Sequence, residues 1–140
     1  MTTRTLLALD AALEVATGIA LIADPSFVVR VLLGAGLTGG GIAVSRVAGL
    51  GLLSLGLACW PSGGDATAQA TWTLFIYNLL TALYLGYLRV GEGFDGHLLW
   101  PAFALHTLLT FLLARPAYER ARQGRLGLPS RLPSFSKNRW

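Results

Sequence analysis

Charge is scarce in this chain: charged residues make up 13% of its 140 positions, about half the usual share of a soluble domain. There is one methionine and one cysteine. A lone thiol excludes an intrachain disulfide, a cysteine-based zinc site and a CxxC redox pair. Cys59 lies inside an apolar stretch, where a thiol is inert and its role is structural. The alternation of apolar and polar residues that marks half-buried strands is missing too. So are HExxH, CxxCH, the P-loop and any GxGxxG expected to open a helix. Two histidines remain, His97 and His106. Nine residues turn a helix by roughly 900°, so the pair lies on opposite faces and cannot ligate one metal within a chain.

What fills the sequence is apolar. The aliphatic, aromatic and sulfur residues reach 54%, there are 17 glycines, and mean hydropathy is +0.58. A soluble fold of this size leaves too much of its surface in water to hide so many apolar side chains. The composition therefore predicts a one-domain integral membrane protein and excludes a disordered chain or an ordinary nucleic-acid binder. Four apolar runs are candidates for spans, at about 5–23, 42–60, 70–89 and 97–114. Each approaches the roughly 20 residues that a helix needs to cross ~30 Å of hydrocarbon. The first run is read as a retained helix, since Asp10 and Glu14 lie inside it and a cleavable signal has no place for two carboxylates.

Between the first two runs, Asp24 can cap a short helix opened by Pro25. Phe27, Val28, Val29, Val31, Leu32 and Leu33 surround Arg30, and a glycine-rich run follows. This segment is too short to span and predicts an interfacial or re-entrant helix. Residues 115–140 form a basic tail with Arg115, Arg120, Arg122 and Arg125 at its start and one acid, Glu119. The positive-inside rule places that tail in the cytoplasm of a bacterial inner membrane, and four spans return the N-terminus to the same side. A tail of this charge is expected to bind anionic lipid head groups.

Ionisable groups within spans are costly and usually face the helix bundle or a wet cavity. Asp10, Glu14 and Thr17 share one face of the first helix. Arg46 lies in the second, Tyr77 and Asn78 in the third, and His106 in the fourth. Counting ~1.5 Å of rise per residue puts Glu14, Asn78 and His106 at one level near the bilayer centre. Arg46 is within a side chain's reach of Glu14, and Asp10 has no basic partner at its own depth. Two readings stay open. Either these groups form a polar site or proton path, or Glu14 and Arg46 neutralise each other while Asn78 and His106 tie helices together. Ser45, Gly49 and Gly56 mark a small-residue face of the second helix, suited to close packing on a neighbour.

The acidic residue in the first helix, the glycine-rich Leu37 to Ile42, the stretch RVAGLGLLSLG from Arg46 to Gly56 and the short last span LLWPAFALHTLLTFLLARP together resemble small DoxX-like bacterial membrane proteins. That resemblance implies an all-α bundle of four transmembrane helices. It also implies an accessory role, as some DoxX relatives look like membrane partners of quinone-linked sulfur oxidation or of redox-stress systems. The function expected here is a non-enzymatic accessory or interaction subunit, working as a homo-oligomer or with another membrane protein. A small oligomeric transporter or channel component built on the polar level is the alternative, and a quinone- or haem-linked subunit is another. No cofactor is expected.

Overall fold

The computed structural model of the protein describes the backbone of residues 2–62 and 65–125, with side chains other than those of 65, 66, 120, 121 and 123–125. Among these residues there are five α-helices and no β-strand: α1 (Thr3–Ala23), α2 (Pro25–Leu33), α3 (Gly39–Ala58), α4 (Asp65–Val90) and α5 (Leu99–Arg125). Three helical segments, Thr3–Ala23, Gly39–Ala58 and Thr67–Val90, are long and apolar enough to cross a membrane. These are consistent with a membrane protein. The run expected at 97–114 is not among them. Its apolar part, Leu98 to Ala114, rises roughly 25 Å before Arg115, at the lower edge of what crosses a ~30 Å hydrocarbon core.

Local chemistry sets the helix ends. The Thr2 hydroxyl accepts from the Thr5 amide at 3.2 Å and caps α1. Asp24 Oδ1 accepts from the Phe27 amide at 3.0 Å, and Pro25 starts α2 where a missing N–H costs nothing. Gly34 ends α2 with φ of 72°, a left-handed conformation that glycine adopts without strain. Several expected boundaries shift. α3 starts at Gly39, so the last glycines of the linker are helical, and α4 starts five residues earlier than the apolar run suggests. α5 continues through Pro116 to Arg125 and takes in the first part of the expected tail. Arg115 and Glu119, one turn apart, pair at 2.9 Å across this stretch. Residues 126–140, the rest of the tail, lie outside the described residues.

The long helices pack as two pairs, α1 along α3 and α4 along α5, with thinner contact between the pairs. Small residues bring α1 and α3 together. A Cβ added at Gly56 would lie 2.6 Å from the Ala11 carbonyl oxygen, and one at Gly49 would lie 2.8 Å from that of Gly18. The small-residue face of α3 thus meets a neighbour in the same chain. Buried apolar side chains sit mainly at one end, where Leu6, Leu7, Cys59, Leu74, Leu109 and Leu113 cluster. At the other end Leu85, Leu88 and Leu99 form a smaller group joined by Leu33 of α2. The segment between α4 and α5 is packed down against α2. The Leu98 amide donates to the Val31 carbonyl at 2.9 Å, and Gly96 sits directly on the backbone of Leu32.

Large apolar side chains cover the outside. Val44, Val47 and Leu50 of α3, Leu80 and Leu83 of α4 and Phe111 of α5 are all exposed, Phe111 by 74%. A water-soluble monomer rarely shows apolar surface on this scale. The polar residues run the other way: Asp10, Thr71 and Asn78 are fully buried and Glu14 is 3% exposed.

Candidate functional site

Asp10, Glu14 and Asn78 gather where the two helix pairs meet, while the buried Thr71 hydroxyl bonds the Thr67 carbonyl of its own helix. Asn78 of α4 is the centre of the cluster. The side-chain amide donates to Asp10 Oδ2 of α1 at 2.7 Å and to the Leu74 carbonyl at 2.8 Å. Its oxygen lies 2.7 Å from Nδ1 of His106 on α5. One turn along α1, Glu14 lies beside Tyr77, which in turn neighbours Thr81. The Tyr77 and His106 rings meet edge to face at 5.9 Å. Helical periodicity explains the grouping. Asp10 and Glu14 are four residues apart on one face of α1, and Tyr77, Asn78 and Thr81 fall within a turn or so of one another on α4.

The structure rearranges the expected partners. Asn78 takes its carboxylate from Asp10, not from Glu14 one turn further along α1, so the register between α4 and α1 differs by about a turn from the one that span ends alone suggest. Asp10 therefore has a partner in the core, although its second oxygen, Oδ1, is buried without one. Arg46 does not join the cluster. It is exposed, and no ion pair links it to Glu14. The pairing was expected from depth alone, but the face of α3 that meets α1 is the one carrying Gly49 and Gly56, and Arg46 is off that face. Ser45 is half-buried. Of the basic residues, Arg115 and Arg122 are exposed, while the side chains of Arg120 and Arg125 lie outside the described residues.

Above the cluster is a cavity of about 520 Å³, within the roughly 300–1,000 Å³ of small-molecule sites. Its lining is mostly apolar. Phe27, Val28, Val31 and Leu32 of α2 form one side, and Leu85, Leu98, Pro101 and Leu105 contribute from α4, α5 and the segment before α5. Thr17, Tyr77, Thr81 and His106 supply its polar wall. Sequence reasoning found Thr17, Tyr77 and His106 but not the cavity, nor α2 as part of its wall. The available signal was the concentration of bulky apolar residues in α2 around a single arginine.

No group of three or more His, Cys, Asp and Glu side chains among the described residues could hold a metal ion. Gly34, Gly36 and Gly39 do have GxGxxG spacing, and α3 opens at the last of them. The preceding element is a helix and not a strand, so the dinucleotide-binding context is missing. The arrangement can offer hydrogen bonds at the end of an apolar chamber, but it presents no activated nucleophile. No family model, no curated protein and no solved structure matches the chain.

Proposed function

We propose that the chain is a multi-pass membrane protein with four spans, α5 being the fourth, and that it acts as a non-enzymatic accessory subunit holding a small amphipathic molecule within the bilayer. The observation that carries this is the apolar cavity whose polar wall includes His106 and Tyr77, with His106 tied behind that wall to the buried Asn78. Polar groups in a membrane core are expensive, and their concentration at one end of a chamber suits ligand binding. In this reading α2 lies at the outer interface, both termini face the cytoplasm of a bacterial inner membrane, and the exposed Arg115 and Arg122 rest on anionic lipid. A DoxX-like affiliation belongs to the same proposal.

The test is gentle purification of the tagged full chain from native membranes, followed by solvent extraction and mass spectrometry. The expected result is a small amphipathic molecule at near-stoichiometric ratio, or a partner protein together with it. Bulk phospholipid alone would overturn the reading.

One observation favours a second role, as a proton-coupled carrier. Glu14 is buried in the span one turn from Asp10, with the Tyr77 side chain beside it. A carrier would lose substrate accumulation by tenfold or more in Glu14→Gln while keeping its melting temperature, measured in vesicles and in detergent. An accessory subunit would keep its partner in the same variant.

A further inference from the structure

We propose that the cavity is selective for a molecule whose head group bears a hydroxyl, held by donating that hydroxyl to Nε2 of His106. This rests on reading the cavity as a ligand site. The argument starts at Asn78, whose amide nitrogen has two hydrogens. One goes to Asp10 Oδ2 at 2.7 Å and the other to the Leu74 carbonyl at 2.8 Å. Turning the amide over would press its oxygen against both of those oxygens, so the network fixes its orientation. The side-chain oxygen of Asn78 then faces His106 Nδ1 at 2.7 Å. An amide oxygen only accepts, so Nδ1 carries the hydrogen. In the neutral ring this leaves Nε2 as a lone-pair acceptor.

Nothing among the described residues hydrogen-bonds Nε2. It is not sealed in either, because Asp10 Oδ1 is the one buried, partnerless side-chain polar atom among them. His106 forms part of the cavity wall. In the proposed site that acceptor faces the largely apolar chamber, where it carries a desolvation cost that a donor would relieve. Ketones, ethers and esters cannot donate, and an ammonium group would lose its hydration on entering. A hydroxyl is the smallest neutral donor, and an apolar body attached to it would lie among Val28, Leu32, Leu85 and Leu105.

The experiment compares 4-hexylphenol with its methyl ether, and 1-octanol with its methyl ether, on the full chain in nanodiscs at matched membrane concentration. A neutral hydrogen bond predicts about fivefold tighter binding of a hydroxyl compound than of its ether. Preference in the first pair assigns an aromatic hydroxyl, and preference in the second an aliphatic one. In His106→Phe the preference should collapse while ether affinity stays within twofold. Nitrogen-15 NMR of the wild-type histidine gives a readout independent of any variant: Nδ1 should be protonated, and the Nε2 resonance should move with phenol and not with ether. Equal binding within both pairs, or an Nε2-protonated ring, overturns the inference and leaves the ligand site standing. Failure of all four compounds to bind overturns the ligand site as well.

Discussion

Asn78 uses one amide to serve three neighbours on three elements, and this makes it the residue whose loss should cost most for its size. Asn78→Leu would remove the donor to Asp10 and the acceptor for His106, leaving a fully buried carboxyl group without a partner. The expected destabilisation is ~2 kcal/mol in detergent unfolding. Adding Asp10→Leu should recover part of that loss, since removing both members of a buried polar pair is gentler than removing one. A double-mutant cycle measures the difference, and simple additivity would disprove the coupling. Asp10, Glu14, Tyr77, Asn78 and His106 were each legible in the sequence, because a polar residue in an apolar run has to be explained. Their pairing was not. It depends on how far α4 slides along α1, and one helical turn of slide exchanges Glu14 for Asp10. Arg46 shows the same limit from the other side: depth put it within reach of Glu14, but its direction around α3 keeps it away.

Helix packing follows similar logic with small residues in place of polar ones. α1 and α3 approach so closely that a Cβ at Gly56 would meet the Ala11 carbonyl at 2.6 Å and the Val15 side chain at 2.8 Å. Gly56→Ala should therefore cost about 1–3 kcal/mol through backbone displacement. Gly51 in the same helix has open space where a Cβ would go, so Gly51→Ala should be neutral or should stabilise by up to about 1 kcal/mol through helix propensity. Thermal unfolding of the two variants side by side checks the contrast. Periodicity made the face of Ser45, Gly49 and Gly56 legible, but not the helix it would meet. Asp24, Pro25 and Gly34 marked out α2 from sequence, since caps and breakers act locally. The run of α5 past Pro116 was hidden, because a proline ordinarily argues for a helix boundary and the Arg115–Glu119 pair across that turn adds only modest support.

For the whole molecule, the proposed topology puts the α4–α5 connection outside the cell and the end of α5 inside. A single-cysteine background, Cys59→Ala, allows a direct check with a membrane-impermeant maleimide. Glu92→Cys should label in intact cells, and Tyr118→Cys only after permeabilisation; the reverse pattern would invert the topology. Composition alone made the membrane setting legible, through scarce charge and abundant apolar residues. The cavity was out of reach, because it forms only when α2 folds back beside α4 and α5. The division into two helix pairs carries a further meaning for assembly. Lipid offers apolar helices little reason to choose one partner over another. The α1–α3 pair and the α4–α5 pair meet at a boundary where the Asn78–Asp10 hydrogen bond supplies the directional contact, and His106 fixes the orientation of Asn78 from within its own pair. The molecule is thus two hairpins that recognise each other through a short polar password, and changing its Asp10 letter would leave the contacts inside each hairpin in place while weakening the match between them.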